Sequence, residues 1–457
     1  MKRARLRQLR QLLWLYFWLL IFEGALRKWV LPGLSNPLLL VREPVALLAL
    51  WWGWPLLRQR RWQIWLLPLL LIGLLALLLA VSVGHGDLFT ALYGSRILLI
   101  QLPLIFVFAA AFNRDDVIRF AWVLAWLSIP MTLLIVAQSN LPSGHILNVA
   151  PGGEGTAVFS GALGRFRPPG LFSFISGVSS FYTLAASSLF ILFYGVALKQ
   201  PGRLFGVAVG IALLVALPVS ISRTLLAGYL QVVAALIAAL VMSRARLMPV
   251  VSGLLALLLA GTIAINVPAF QNTSGAFLQR WENASRSENQ GDDSLDGVVG
   301  VVNTRFIPEI MRPFVNLGKV PLLGYGVGMG SQVGATRLTG SSGWQLGEGA
   351  WESSMGEMGI ILGPVFLAWR VLLSFWIMRI GFLNALKGDV LPLILAGSSF
   401  LPMLFGQIGQ PTGLGFLVFS AGLTLAASNH STPTSRLHYR VVTKLNHAVG
   451  LKAIVLA

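Results

Sequence analysis

Residues 66–83 read LLPLLLIGLLALLLAVSV, a run of 18 positions without a charged side chain. A helix needs about 20 predominantly apolar residues to cross the hydrocarbon core of a bilayer, and a run of this length is typical of such a helix. Arg60 and Arg61 come shortly before the run, and Gly84 directly follows it. The sequence therefore predicts a membrane-spanning helix at about 63–83.

The rest of the 457-residue chain repeats this pattern, because apolar residues make up 56% of it and charged residues only 11%. Average soluble chains carry about 25% charged residues. We therefore expect an all-α polytopic membrane protein with about 12 transmembrane helices. The chain has no cysteine, which excludes disulfides and cysteine nucleophiles. The other predicted spans lie at about 11–31, 36–56, 88–112, 118–139, 170–197, 204–220, 224–242, 248–268, 354–377, 390–407 and 412–428.

The net charge of +18 follows a membrane pattern rather than a nucleic-acid one. With the basic N-terminus inside, twelve crossings return the basic C-terminal tail to the inside, and every short inside loop carries Lys or Arg. Only Asp115, Asp116 and Asp389 are acidic on that side. This asymmetry sets orientation in inner membranes, so we predict cytoplasmic termini, contact with membrane lipids and no nucleic-acid partner.

Four regions follow from this topology. Residues 1–268 hold spans 1–9, residues 269–353 form a large, partly helical loop on the outer side, residues 354–428 hold spans 10–12, and residues 429–457 form a basic cytoplasmic tail. Within the large loop, apolar residues at helical spacing over 298–316 predict a helix.

Arginines gather at the predicted outer ends of the spans. Arg165 and Arg167 precede a pair of prolines, Arg223 lies between two spans, and Arg305 lies in the large loop. Guanidinium groups hold phosphate oxygens through paired hydrogen bonds. The cluster favours a site for a lipid-linked diphosphate, although each arginine alone is also compatible with a lipid headgroup or a surface ion pair.

Two arginines fall inside predicted spans, where a charge costs about 2.5–3.5 kcal/mol on insertion scales. Arg96 lies deep in the fourth span, as a buried ion pair or as part of the site. For Arg370 in the tenth span we expect a side chain that extends towards the cytoplasmic surface.

Three carboxylates enter the tenth span at Glu348, Glu352 and Glu357. Glu348 and Glu352 are four residues apart and can share a helix face, and a poorly solvated carboxylate has a raised pKa that suits a general base. The alternative is a helix entry where negative charge is favourable. His85 and His145 have no partner at ligand spacing, so we expect no metal and no other cofactor.

The segment 324–330, GYGVGMG, is not a nucleotide-binding loop, because no Lys-Ser/Thr follows it and no strand is predicted before it. Its glycines predict a loop whose backbone comes close to another segment.

These elements together resemble the O-antigen ligase and polysaccharide polymerase superfamily, over about half of the chain. The similar pieces, in order, are RPPGLF (167–172), SRT (222–224), NTR (303–305), PLLGYGVG (321–328) and EMGIILG (357–363), and FEGALRKW (22–29) is similar to an element of one subgroup. Such proteins transfer a glycan from undecaprenyl diphosphate to an acceptor hydroxyl at the outer face of the bacterial inner membrane, without nucleotide or metal.

The resemblance implies roles for three of the candidate residues. Arg223 and Arg305 would hold the diphosphate and stabilise its departure, and Glu348 would stand where the family has its catalytic histidine and act as the base. From their charge and position in the sequence, we expect the remaining candidates to contact substrate: Arg167, Arg165, Arg96, Glu352 and Glu357.

The acceptor stays open at this point. A polymerase extending a glycan is favoured, because the sequence shows no motif for a lipid or protein acceptor, but a ligase differs only in the acceptor. A transporter or flippase for an anionic lipid-linked substrate and a membrane protein without chemistry are the alternatives of a different class. A transporter usually shows repeated halves, midplane charges or broken helices.

Overall fold

The computed structural model describes residues 3–153, 159–160, 166–195, 202–244, 307–315, 317–340 and 349–429, together with positions 275 and 346. Short π-helical turns extend α1, α5 and α8, and β1 (Phe159–Ser160) pairs antiparallel with β2 (Phe166–Arg167). The helices are α1 (Arg3–Ala25), α2 (Ser35–Leu38), α3 (Arg42–Leu57), α4 (Arg60–Ser82), α5 (Leu88–Arg96), α6 (Leu104–Ala111), α7 (Arg114–Asn140), α8 (Ile175–Phe190), α9 (Arg203–Ser220), α10 (Arg223–Met242), α11 (Ile307–Val315), α12 (Gln332–Thr339), α13 (Ala350–Ala385), α14 (Leu391–Phe405) and α15 (Pro411–Ser428).

The described part of the chain is an all-α polytopic membrane protein, as predicted. Nine of its helical segments are long and apolar enough to cross a membrane, and α9 and α14 are shorter apolar helices. These segments correspond to eleven of the twelve predicted spans, while the predicted span at 248–268 lies outside the described residues. The predicted loop helix is described from Ile307 to Val315.

Polar caps fix where several helices begin. The side chain of Asn113 accepts from the Asp116 N–H and the Asp116 side chain accepts from the Asn113 N–H, which closes a capping box on α7. The Asp87 carboxylate caps α5 at the Thr90 N–H, and Ser222 caps α10. These caps set the first residues of α5, α7 and α10.

Polar contacts join the helix ends into two opposite faces. On the first, which we call the basic face, Arg10 pairs with Asp116 at 3.3 Å and Arg114 pairs with Asp389 at 2.5 Å. The second, which we call the loop face, holds the described parts of the 141–174 and 307–349 loops. Alternate crossing of consecutive helices accounts for this separation.

Between the two faces, aromatic side chains of α1, α7 and α15 form the centre of the apolar core. The Phe17 ring lies 4.9 Å from that of Phe419 and 5.3 Å from that of Phe120. By contrast, α4 leaves Leu67, Leu78 and other large apolar side chains exposed, which is the surface expected against lipid.

Helix α13 folds back on itself at Gly359, where φ is 75° and ψ is −177°. A Cβ on Gly363 would lie 3.1 Å from the Cα of Met355, whereas eight residues of continuous helix rise about 12 Å. Residues 350–358 therefore form a first limb that packs against the second limb, 360–385. The helix predicted at 354–377 is therefore interrupted at Gly359, and of the two limbs only the second is long enough to cross a bilayer.

A candidate site at the loop face

The glycine loop, residues 321–331, packs tightly between α5 and the tip of α13. Gly324, Gly326 and Gly328 all have positive φ, at 81°, 103° and 96°. A Cβ on Gly324 would lie 2.4 Å from the Glu357 carbonyl oxygen, and one on Gly328 would lie 2.2 Å from the Thr90 carbonyl oxygen. The predicted close approach of this backbone is confirmed.

Glu357 holds the loop through its carboxylate. Its Oε1 accepts the N–H of Gly328 at 3.0 Å and the N–H of Gly330 at 2.8 Å. The loop also binds the backbone of the hairpin tip, since the Tyr325 N–H donates to the Gly356 carbonyl oxygen at 2.8 Å and the Gly326 N–H to that of Glu357 at 3.0 Å. Four hydrogen bonds thus fix the loop on the first limb.

A small cavity of about 30 Å³ lies between the glycine loop, the first limb and the turn before α15. Its polar lining includes Ser353, Ser354, Glu357 and Gln407. A cavity needs about 10–15 Å³ to hold one water. The space therefore suits a water or a single hydroxyl group beside the Glu357 carboxylate.

The first turns of α8 connect this cavity to the Arg223 segment. Ser176 Oγ donates to Gln410 Oε1 at 2.8 Å, and Gln410 Nε2 donates to Gln407 Oε1 at 3.0 Å on the cavity wall. Three residues further along α8, the hydroxyls of Ser179 and Ser222 are 2.8 Å apart. The cavity wall and the N-terminus of α10, where Arg223 stands, are thus held by one stretch of one helix.

Arg167 reaches the same region from the preceding chain. It ends β2, opposite Phe159, and is partly buried. Residues 168–174 then lead directly into α8, with Gly170 in the left-handed region at φ 59°. The segments of Arg167 and Arg223 therefore both adjoin the N-terminal turns of α8.

The other candidates stand apart from this arrangement. Arg165, Arg305 and Glu348 lie outside the described residues. Glu352 is partly exposed on the first limb, one turn before Glu357, and forms no hydrogen bond or ion pair with the part of the chain that the structure describes.

Arg96 forms the buried ion pair that the sequence left open. Its Nη1 lies 2.5 Å from Glu43 Oε1, and its guanidinium carbon lies 4.1 Å from the centre of the Tyr93 ring. Gln101 donates to the second Glu43 oxygen at 2.8 Å. Sequence reasoning missed Glu43, although a lone acid inside the apolar stretch 36–56 was a signal for a buried partner.

The predicted position of the Arg370 side chain is wrong. The side chain is only 1% exposed and donates to the carbonyl oxygens of Met403 at 3.0 Å and Gly406 at 2.8 Å. These groups belong to the C-terminal end of α14, where carbonyls have no helical partner and where a cation is favourable. The guanidinium of Arg370 therefore donates to these carbonyl oxygens and does not extend to the basic face.

An ion pair fastens the helix that follows the glycine loop. Arg337 on α12 donates to both Asp87 oxygens, at 2.9 and 3.1 Å. These hydrogen bonds, together with that from the Thr90 N–H, hold the pKa of Asp87 well below its usual range, and Asp87 raises the pKa of Arg337. The pair joins α12 to the turn between α4 and α5.

Within the described residues, no group of three or more histidine, aspartate or glutamate side chains is placed to hold a metal ion. No protein-family model matches the chain, and no curated protein sequence matches it.

Proposed function

We propose that this protein is a membrane glycosyltransferase that moves a glycan from an undecaprenyl diphosphate-linked donor to an acceptor sugar hydroxyl. In this proposal the loop face is the periplasmic face of a bacterial inner membrane, both termini are cytoplasmic, and the acceptor is the growing polysaccharide. The observation that carries it is the stretch of α8 that binds the Gln407–Gln410 turn through Ser176 and the Arg223 segment through Ser179. It brings a guanidinium segment and a carboxylate cavity together at one face.

The donor diphosphate would be held by arginines. Arg223 and Arg305 take the departing diphosphate, with Arg167 and Arg165 beside them. The first turns of α8 and α10 both lie here, so the positive dipole ends of the two helices add to the attraction for an anion. Positive charge placed where negative charge develops lowers the barrier to departure.

The acceptor would be activated by carboxylates. Glu348 takes the proton from the acceptor hydroxyl, whose oxygen then attacks the anomeric carbon while the bond to the diphosphate oxygen breaks. Undecaprenyl diphosphate leaves with the electron pair of that bond. Glu352 and Glu357 contact the acceptor, and the cavity beside Glu357 has room for one hydroxyl group. Arg96, which pairs with Glu43, would contact the substrate as well.

The test uses protein reconstituted in lipid nanodiscs with an undecaprenyl diphosphate-linked oligosaccharide and no nucleotide sugar. Released undecaprenyl diphosphate and glycan length are followed for wild type, Arg223→Lys, Arg305→Lys and Glu348→Gln. The matched control is Arg312→Lys, an exposed arginine on α11 at the same face. Release with a lengthening glycan in wild type and control, with at least about a hundredfold loss in the three variants, is expected.

Two other functions have distinct outcomes in this assay. Release that depends on an added lipid or protein acceptor would identify a ligase. The break at Gly359 and the buried Arg370 inside a span are features of transporters as well. Donor that crosses the bilayer without release of undecaprenyl diphosphate would overturn the transferase proposal in favour of a transporter or flippase.

A further inference from the structure

The segment 22–29, FEGALRKW, forms the end of α1 and the π-helical turn that follows it, and the proposed chemistry gives it no role. All three of its charged residues are nonetheless buried: Glu23 is 3% exposed, Arg27 is 8% and Lys28 is 2%. Charges inside a membrane bundle are costly and mark functional positions by default. Their contacts show what they hold.

Lys28 binds the segment that carries Arg167. Its Nζ donates to the Gly170 carbonyl oxygen at 2.6 Å and lies 4.5 Å from the centre of the Trp29 ring. Among the residues that the structure describes, no carboxylate forms an ion pair with it. Burying an ammonium group that has one carbonyl partner costs free energy. The hydrogen bond to Gly170 is the main contact that offsets this cost.

The other side of Gly170 is held by Gln138. The Gly170 N–H donates to Gln138 Oε1 at 2.8 Å, and Gln138 Nε2 donates back to the Gly170 carbonyl oxygen at 3.2 Å. Gln138 is fully buried. Residues 168–174 form no helix, so their buried backbone groups need hydrogen-bond partners from other segments. Lys28 and Gln138 supply these partners at Gly170, three positions after Arg167.

Other residues of the segment 22–29 contact the same loop at further positions. Arg27 Nη1 donates to Ser173 Oγ at 3.0 Å. Gly24 is packed so closely that an added Cβ would lie 2.3 Å from the Leu171 carbonyl oxygen. The Trp29 indole donates to the Ile146 carbonyl oxygen at 2.9 Å, further back in the same loop.

Glu23 connects these contacts to the cavity wall. Its Oε2 accepts from Arg42 Nε at 2.9 Å, and its Oε1 lies 3.6 Å from Arg27 Nη1. Arg42 in turn donates through Nη2 to the Pro411 carbonyl oxygen at 2.7 Å. Pro411 directly follows Gln410, which binds Ser176. The charges of α1 and α3 thus hold both chain segments that flank the start of α8.

We infer that residues 23–28 are a positioning element, in which Lys28 and Arg27 hold residues 170–173 so that Arg167 faces the donor diphosphate. This inference rests on the proposed function for the identity of the ligand. The placement of Arg167 can be tested without a measurement of glycan transfer.

The structural test exploits the absence of cysteine from the chain. Arg167→Cys supplies a single thiol, and its rate of labelling by a membrane-impermeant maleimide is measured alone and combined with Lys28→Met, Gln138→Leu or Lys28→Arg. Lys28→Met keeps the apolar stem and removes the donor, and we expect it to raise the labelling rate about tenfold or more by loosening the segment. Gln138→Leu should act in the same direction, whereas Lys28→Arg should stay near the parent rate. The control is Lys387→Met, an exposed lysine on the basic face.

The activity test is a double-mutant cycle on glycan transfer. We expect Lys28→Met to lower kcat/KM by up to about a hundredfold through misplacement of a binding group, Lys28→Arg to restore most of it, and Lys28→Met to add little in an Arg167→Ala background. Unchanged labelling in both Lys28→Met and Gln138→Leu, or losses that multiply in the cycle, would overturn the positioning role. Faster labelling in a protein that transfers no glycan would keep the positioning role and reject the proposed function.

Discussion

Gly324 and Gly359 meet backbone to backbone at the tip of the α13 hairpin, where a Cβ on Gly359 would lie 2.3 Å from the Gly324 nitrogen. Neither residue can carry a side chain without moving the other segment. The glycine loop and the fold-back of α13 therefore depend on each other, and the cavity beside Glu357 exists only when both are in place.

Replacing Gly359 by alanine should destabilise the protein by about 3 kcal/mol or more, because a glycine-only backbone conformation and a backbone clash act together. Two matched glycines separate these effects. Gly388 has φ 87° but open space around it, so Gly388→Ala should cost about 1–2 kcal/mol; Gly33 has open space and no positive φ, so Gly33→Ala should change little. Thermal unfolding in detergent, followed by the fluorescence of the 15 tryptophans, ranks the three. Equal midpoints for Gly359→Ala and Gly388→Ala would contradict the close contact.

The Glu357 carboxylate should matter first as an acceptor for the glycine loop. Glu357→Ala leaves the N–H groups of Gly328 and Gly330 without their partner and should cost about 2–4 kcal/mol. Glu357→Gln keeps an acceptor oxygen and should cost about 1 kcal/mol, the difference between a charge-assisted and a neutral bond. Glu352→Ala is the control one turn away and should be nearly neutral. Thermal midpoints decide this, and a Gln variant as unstable as the Ala variant would show that the charge, not the acceptor, holds the loop.

Breaking the buried pair of Arg96 and Glu43 on one side only should be severe. Arg96→Met leaves an uncompensated carboxylate and should cost about 3–5 kcal/mol, whereas Arg96→Met with Glu43→Leu should recover most of that loss. Urea unfolding in detergent measures both. Glycan transfer by the stable double variant then tests the predicted substrate contact: activity near wild type would leave Arg96 a structural role only, and lost activity in a stable protein would support the contact.

The pair of Asp87 and Arg337 should make stability depend on pH only under acidic conditions. The pKa of Asp87 is lower in the folded chain than the unfolded value of about 3.9. Its contribution is therefore present above about pH 4 and is lost as the pH falls through the folded pKa. The difference in thermal midpoint between wild type and Asp87→Asn should be constant from about pH 8 to pH 5, shrink below about pH 4, and fall in high salt because Arg337 is half exposed. Asp115→Asn, an exposed acid on the basic face, should show no such change; a midpoint difference that varies near neutral pH would contradict the assignment.

The sequence predicts most of the spans because membrane crossing depends on local composition. Runs such as 63–83 need no tertiary information, and eleven of them correspond to described apolar helices. The fold-back at Gly359 is different. The apolar run continues through it, and what breaks the helix is contact with Gly324, 35 positions earlier in the chain. The repeated glycines at 356, 359 and 363 were the available signal.

The partners of the buried charges could not be predicted from the sequence either. The sequence shows Arg96 and Arg370 inside spans, but not that Glu43 lies beside one and the end of α14 beside the other. A charged residue inside an apolar run stands out in the sequence because burying its charge costs free energy. Which group pairs with that charge depends on how the helices pack, and the sequence does not show this. The roles of Glu348 and Arg305 stay predictions, since both residues lie outside the described part of the chain.

The first limb of α13 also separates two events in the making of the protein. Nine residues, 350–358, extend about 14 Å as a helix and cannot span a bilayer of about 30 Å. Integration during synthesis is therefore driven by the second limb, and it is complete once that limb and the later helices have entered. We expect the first limb to dock on the second limb only afterwards, at the loop face, where it contacts the glycine loop. In that order of events the cavity beside Glu357 forms after insertion, and we expect a fully inserted chain to lack this cavity until the first limb has docked.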